Sequence, residues 1–286
     1  MGWPEASKDL QREGIVMAAW PIHIVNTQNV SLNSENKIHD DAEAKKYGFN
    51  GGLVPGTVVY GHMTYPLVSH YGIGWLTENV GHLKLFKPAY EGDKLTIKTD
   101  EPEEGHHLAT VHCYNALDVE LAKLETGMPG TLPAVGTWAG MAPAAPSAER
   151  TPISWDAVVI NQPLREYAWT PTEKDQETWC HAVSDLLPIY RSNDSPVHPG
   201  LILQAANHVL SRHYILKPWI HMESRIVTRS ALRVGKAVSV RAAPVEKWEK
   251  NGHQFLKLYV CMLSGGKVAV EVQHSAIFQV RLAKTA

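Results

Sequence analysis

The sequence predicts an α+β protein made of two diverged copies of one unit, and three observations carry that expectation. A Pro-Gly pair closes a polar stretch and opens an apolar helical pattern twice, at Pro55-Gly56 and Pro199-Gly200, 144 residues apart. Downstream, Pro88-Ala-Tyr-Glu-Gly92-Asp-Lys-Leu-Thr-Ile97 is echoed by Ala231-Leu-Arg-Val-Gly235-Lys-Ala-Val-Ser-Val240, glycine to glycine at a spacing of 143. Between the copies, Met141 to Pro152 is a Pro- and Ala-rich run without apolar periodicity, which reads as an extended, semi-rigid connector. A period this long means duplication of a whole domain rather than a solenoid. The 286 residues suit two units of roughly 100–200 residues each. The expected division is residues 1–141, a connector at 142–152, and residues 153–286.

Each element follows from local pattern. After the first Pro-Gly, Val58, Val59, Met63 and Leu67 fall at helical spacing; after the second, Leu201, Ile202, Ala205, Ala206, Val209 and Leu210 do the same. Each copy is expected to bury one helix, with Pro tolerated at its start. Strands are expected at 83–86, 95–98 and 107–114 in the first copy, and at 232–240, 255–260, 268–272 and 276–280 in the second. Gly265-Gly266 has the chemistry of a tight hairpin turn. A helix followed by an antiparallel meander packs as two layers.

Composition narrows the function classes. With 27 basic and 29 acidic residues and a formal charge of −2, the chain has no footprint for gripping a nucleic acid. Cys113, Cys180 and Cys261 are too few and too far apart for a disulfide framework or a zinc ribbon. No segment approaches 18 consecutive apolar residues, and the first residues lack a basic-then-apolar leader pattern, so the expected location is the cytoplasm without membrane attachment.

The polar, turn-rich stretch from Ser31 to Gly56 is the candidate site. Asn36-Lys37-Ile38-His39, then Asp41, Ala44, Gly48-Phe49 and the helix-opening Gly56, resembles the MaoC-like hydratases and dehydratases of the hotdog fold. That resemblance implies two long helices, each wrapped by a curved antiparallel sheet, in a double hotdog. It also implies an acyl thioester substrate bound between the units, with coenzyme A entering only as part of the substrate and no separate cofactor. On the family pattern His39 matches the catalytic His, Asn36 the motif Asn, and Gly56 the glycine whose amide receives the thioester oxygen. Ser34 stands where the family has Asp, and Lys37 replaces its usual Pro.

The weaker echo Ala182-Val-Ser-Asp185-Leu-Leu-Pro188-Ile-Tyr190 resembles the same motif, Asp185 matching the Asp and Tyr190 standing for the His. Val54, Pro55, Asp41, Tyr60, Asp185, Tyr190 and His198 are therefore expected to line the substrate cavity; Tyr60, His62 and Tyr65 are candidates for its acyl channel, although aromatic residues on a central helix are more often packing.

A positioned acid or base contributes about 10²- to 10⁴-fold, which Ser34 alone does not supply. Glu35, Asp40 or Asp41 are the candidate substitutes, although Asp40, Asp41 and Glu43 equally suit the first turn of a helix. His106, His107, His112 and Cys113 invite a metal reading, but their spacing matches no compact zinc pattern and no metal is expected. Three functions remain open: an enoyl-thioester hydratase or dehydratase, an acyl-CoA thioesterase of the same fold, and a non-catalytic acyl-binding module or a lyase on a non-thioester substrate. One chain suffices for a complete pocket, so a monomer or a homodimer is expected.

Overall fold

In the computed structural model, residues 20–100, 102, 108–142, 144 and 149–282 are described. The first unit runs β1 (His23–Asn26), α1 (Asp41–Lys46), α2 (Gly56–Tyr71), α3 (Ile73–Thr77), β2 (Asn79–Leu85), β3 (Lys94–Asp100), β4 (Ala109–Tyr114) and β5 (Glu120–Gly127). The rest of the chain adds β6 (Thr151–Pro152), β7 (Tyr167–Trp169), α4 (Glu173–Ala182), α5 (Pro199–His213), β8 (Tyr214–Ile215), β9 (Ile220–Thr228), β10 (Val238–Lys250), β11 (His253–Ser264) and β12 (Lys267–Gln279).

Helix α2 is apolar around nearly its whole circumference, and Thr57 to Thr64 and Pro66 to Val68 are buried. Such a helix is stable only when enclosed. It packs beside α5 and against strands of its own unit. On β4 the residues Ala109, Val111 and Cys113 are buried and alternate with half-exposed neighbours, the period of a strand with one face on the core.

Ten strands form one antiparallel sheet in the order β1-β3-β4-β5-β2-β9-β12-β11-β10-β7. Read outward from its middle, the sheet repeats itself. β2 matches β9, the meander β5-β4-β3 matches β12-β11-β10, and the edge β1 matches β7. The junction is the β2–β9 pair, with Gly81 opposite Ile226 and Asn79 opposite Thr228. The duplication extends to single hydrogen bonds: Val54 N–H donates to Ala89 O at 2.8 Å, and Val197 N–H to Leu232 O at 2.8 Å. Gly92 and Gly235 occupy the same left-handed turn, with φ of 78° and 77°.

Some expectations are corrected. The stretch 232–240 is not one strand, because the left-handed turn at Gly235 precedes β10, which starts at Val238 and runs to Lys250. The strands expected at 268–272 and 276–280 are one, β12; Gln273-His274-Ser275 reads as a polar break, yet His274 and Ser275 are buried and the strand passes through, with β9 bulging at Met222 opposite Ser275 and Ala276. β1, β5, β7 and β9 escaped the sequence reading. The described parts of the connector are paired with the second unit: Thr151-Pro152 with Tyr214-Ile215, and Ala144 by a bridge to Arg165. Gly265 and Gly266 form the expected hairpin, both with positive φ, 56° and 78°.

Since an L-residue in the left-handed region costs roughly 1–2 kcal/mol, Gly92→Ala and Gly235→Ala should each lower stability by about that much in urea denaturation. Gly130→Ala, where a Cβ meets nothing within 4 Å, should fall within about 0.5 kcal/mol of the parent. Equal midpoints for all three variants would contradict the shared turn.

Candidate active site

The loop from Ser31 to Gly56 is shaped by its own polar side chains. Asn36 opens a single 3-10 turn at Lys37–His39 and accepts from Ile38 N–H at 3.3 Å. Asp40 then caps α1, accepting from Glu43 N–H at 2.9 Å. Asp41 accepts from Gly52 N–H at 2.7 Å and pins the end of the loop.

This folding sets the tautomer of His39. Its Nδ1 lies 2.6 Å from the Leu53 carbonyl oxygen, which only accepts, so Nδ1 carries the proton. Nε2 is left with a lone pair, 3.3 Å from the Asn36 amide nitrogen. Burial lowers the imidazole pKa, the Leu53 carbonyl opposing, and so favours the neutral ring. The same Asn36 amide reaches across to the second unit: its Nδ2 donates to Trp219 O at 2.9 Å, and Trp219 N–H donates to its Oδ1 at 3.1 Å.

His39, Ser34, Asn36, Val54, Pro55 and Gly56 line one cleft of about 880 Å³, whose far wall comes from α5 and β9 of the second unit. At its floor stands the amino end of α2. The first N–H groups of a helix have no intrahelical acceptor, and the helix dipole adds a partial positive charge there. A Cβ at Gly56 would lie 2.3 Å from Leu85 Cδ1 and 3.1 Å from His221 Nδ1, so a side chain there would have to push the tip of Leu85 aside. Such a floor can receive a carbonyl oxygen, with an imidazole lone pair in the same cleft.

Several solved structures share this architecture. A MaoC domain protein dehydratase from Chloroflexus aurantiacus superposes with a TM-score of 0.61 at 10% identity, covering 95% of this chain and 100% of that one. A Mycobacterium tuberculosis protein described as a double hotdog superposes at 0.56 with 10% identity, covering 89% and 95%. The fold is a double hotdog. An oleoyl thioesterase from Lactobacillus plantarum is also similar, at 0.51 and 10% identity over 91% and 96% of the two chains. No protein-family model and no curated protein matches the sequence.

The two hotdogs are unequal where it matters. Pro55 O accepts from Val58 and Val59 N–H, and His198 O accepts from Leu201 and Ile202 N–H, a spacing of 143 in every case. The Pro-Gly pairs are therefore offset by one residue in the structure. Gly56 corresponds to Pro199, which has no N–H to offer. Asp185, Tyr190 and His198, expected in the cavity, do not line it. Asp185 and Tyr190 border a separate pocket of about 480 Å³. His198 accepts from Trp179 Nε1–H at 3.0 Å and Gly200 N–H at 3.1 Å through Nδ1, so its Nε2–H donates to Asp185, 3.2 Å away. Both side chains of that pair are fully buried and mutually satisfied.

Other expected contacts are also spent elsewhere. Tyr60 is buried in the core, beside a small void lined by Trp75 and Leu76. Glu35 lines the cleft but is clasped by Arg150, whose Nη1 lies 2.9 and 2.8 Å from the two carboxylate oxygens and donates to Ser211 O at 2.7 Å. With Asp40 and Asp41 tied to backbone amides, none of the three carboxylates substitutes for the one missing at Ser34. Ser34 Oγ–H donates to Asn36 O at 3.2 Å. His62 bonds Val183 O at 2.9 Å and Thr27 Oγ1 at 3.1 Å in the core. His112 is held by Glu120 at 2.5 Å and Asp100 at 3.2 Å, while His106 and His107 lie outside the described residues.

The sequence reading missed the cleft's second-unit wall: Arg165, Asn207, His208, Arg212, Trp219 and His221. Three of its buried polar atoms, Arg165 Nε, Asn207 Oδ1 and His221 Nδ1, have no hydrogen-bond partner. Unpaired buried groups are costly and mark places where a ligand or water completes the set.

Burial lowers the pKa of His62 and of His274 to about 3. Unfolding restores the ordinary value near 6.5, so the unfolded chain takes up protons first as pH falls. Stability is full above about 6.5 and drains away toward 3, by roughly 2 kcal/mol per histidine at pH 5. Denaturation at pH 7.5 and pH 5 should record that loss, and His62→Gln should flatten the slope; a flat profile for the parent would contradict the neutral, buried assignment.

Proposed function

We propose that the protein is a hydratase or dehydratase acting on an α,β-unsaturated or β-hydroxy acyl thioester. The reading rests on one observation: His39 presents a lone pair at Nε2, its proton committed to Leu53 O, in a cleft whose floor is a side-chain-free helix start. In the hydration direction His39 Nε2 takes a proton from water as the hydroxyl adds to Cβ. The displaced electron pair moves through Cα to the thioester oxygen, stabilised by the Gly56 amide. Preorganised donors of that kind are worth about 3 kcal/mol each. The proton on Nε2 then passes to Cα. One nitrogen serves both transfers, which explains how the site works with Ser34 in place of a carboxylate. Arg165 and Arg212 on the cleft wall suit the anionic end of a coenzyme A thioester.

A thioesterase is the second reading, because a single histidine base also suits water attacking the thioester carbon, and a thioesterase is among the structural neighbours. Crotonyl-CoA and butyryl-CoA separate the two: hydration removes the enoyl absorbance without releasing thiol, hydrolysis releases thiol from both. The expected outcome is hydration with syn addition, since proton and hydroxyl reach the same face. His39→Ala should lower kcat by about 10²- to 10⁴-fold with the fold intact by circular dichroism, and full activity in that variant would sink the proposal. Because His39 must be neutral and its pKa is lowered, kcat/KM should fall only on the acid side, with its midpoint below 6.5.

A further inference from the structure

Beside Gly56 lies a hydrogen-bonded chain that the proposed chemistry leaves unused. His221 on β9 has its Nε2 2.9 Å from Ser224 Oγ, and the same Oγ is 3.0 Å from His274 Nδ1 on β12. The two imidazole rings lie 4.2 Å apart, centroid to centroid. Two buried atoms end the chain without partners among the described residues: His221 Nδ1, on a ring that lines the cleft, and His274 Nε2, on a ring that is fully buried.

A hydroxyl has one hydrogen to give and two lone pairs; if both rings donated to Ser224 Oγ, its own hydrogen would find no acceptor among the described residues, which leaves two arrangements. In the first, Ser224 donates to His274, and the unpaired N–H lies at His274 Nε2, in the dry interior. In the second, His274 Nδ1–H donates to Ser224, Ser224 donates to His221 Nε2, and the unpaired N–H lies at His221 Nδ1, at the cleft. A buried N–H without an acceptor is rarer and costlier than a buried bare lone pair, and a donor at the cleft can meet water or ligand. The second arrangement is therefore preferred. Burial and then the neighbouring His274 hold the His221 pKa well below its ordinary value, with the Glu223 backbone carbonyl opposing, so the ring stays neutral and donates without carrying charge.

We infer that His221 Nδ1–H is a second donor to the thioester oxygen, paired with the Gly56 amide, and that Ser224 and His274 are positioning residues that fix its tautomer. The inference rests on the thioester reading of the cleft and deepens it. Its geometric basis is contact between His221 and the helix start: a Cβ on Gly56 would come 3.1 Å from His221 Nδ1. An oxygen at the helix start thus meets both donors. No net proton transfer is needed, because the donated hydrogen stays on nitrogen while negative charge builds on the oxygen. The donor comes from the second hotdog and the base from the first.

Two measurements decide it. In the free protein, long-range ¹H–¹⁵N spectra should find His221 as the Nδ1–H tautomer; an Nε2–H tautomer overturns the inference whatever the substrate. In the second measurement, a 4-dimethylaminocinnamoyl thioester of coenzyme A, whose absorbance moves to the red when its carbonyl is polarised, is bound to the parent, His221→Phe, Ser224→Ala and His39→Ala. The red shift should be full in the parent and His39→Ala, reduced in Ser224→Ala and reduced further in His221→Phe, where the Gly56 amide alone remains, and kcat for crotonyl-CoA should fall about 10²- to 10³-fold in His221→Phe with little change in KM. A full red shift in both His221→Phe and Ser224→Ala overturns the inference while leaving the thioester reading in place. If the parent itself binds no thioester, the thioester reading fails, and the inference falls with it even when the tautomer is the expected one.

Discussion

The close approach of the amino end of α2 to the junction strands is the constraint from which the rest of the site follows. A Cβ at position 56 would meet the side chains of Leu85 on β2 and His221 on β9. Because β2 and β9 are the strands that join the two hotdogs, the first helix begins at the seam. A helix start elsewhere would offer the same unpaired amides but would face one unit only. Here the cleft takes the His39 imidazole from the first unit and most of its far wall from the second. The Asn36 side chain locks the seam by pairing with both backbone groups of Trp219. It therefore fixes His39 relative to β9 with the same amide that faces the imidazole.

The duplicated plan makes the asymmetry informative. Backbone hydrogen bonds keep a spacing of 143 through the helix starts, whereas the visible Pro-Gly pairs sit 144 apart. That single residue puts proline where the first unit has its glycine amide. The histidine beside it turns inward to cap α5 and bond Asp185. Between the motif residue and the helix start, the first unit is eight residues longer, since His39 to Tyr190 spans 151 positions and Pro55 to His198 spans 143. The extra chain folds as α1. The second copy thus has no helix-start N–H to offer at the matching position, while Asp185 and Tyr190 are buried.

The sequence made legible what depends on local chemistry. The paired glycines, the buried helices and the Gly265-Gly266 hairpin are all dictated by conformations that few residues tolerate. It also located the loop carrying His39, Asn36 and Gly56. The far wall stayed hidden for a physical reason. Strand β9 reads Ile-His-Met-Glu-Ser-Arg-Ile-Val-Thr, and its polar residues look solvated until pairing on both sides buries His221 and Ser224. Likewise Leu121 to Glu125 looks like a helix in composition, yet sheet pairing makes it β5. Asp185 was misplaced because a motif match carries chemistry but not orientation. Its counterion, His198, comes from a position the motif does not include.

The serine at position 34 has a consequence for how charge is handled in the cleft. A carboxylate beside His39 would raise the imidazole pKa and favour the cation; without it, burial dominates and the ring is held neutral. The neighbouring carboxylate that remains, Glu35, is neutralised by Arg150 from the connector. The site therefore has little negative charge with which to stabilise a protonated intermediate. It is better suited to stabilise a developing anion, through the helix start and neutral donors around it. The helix start and the neutral rings around it therefore suit a ligand whose negative charge lies on oxygen better than one that needs a counter-anion.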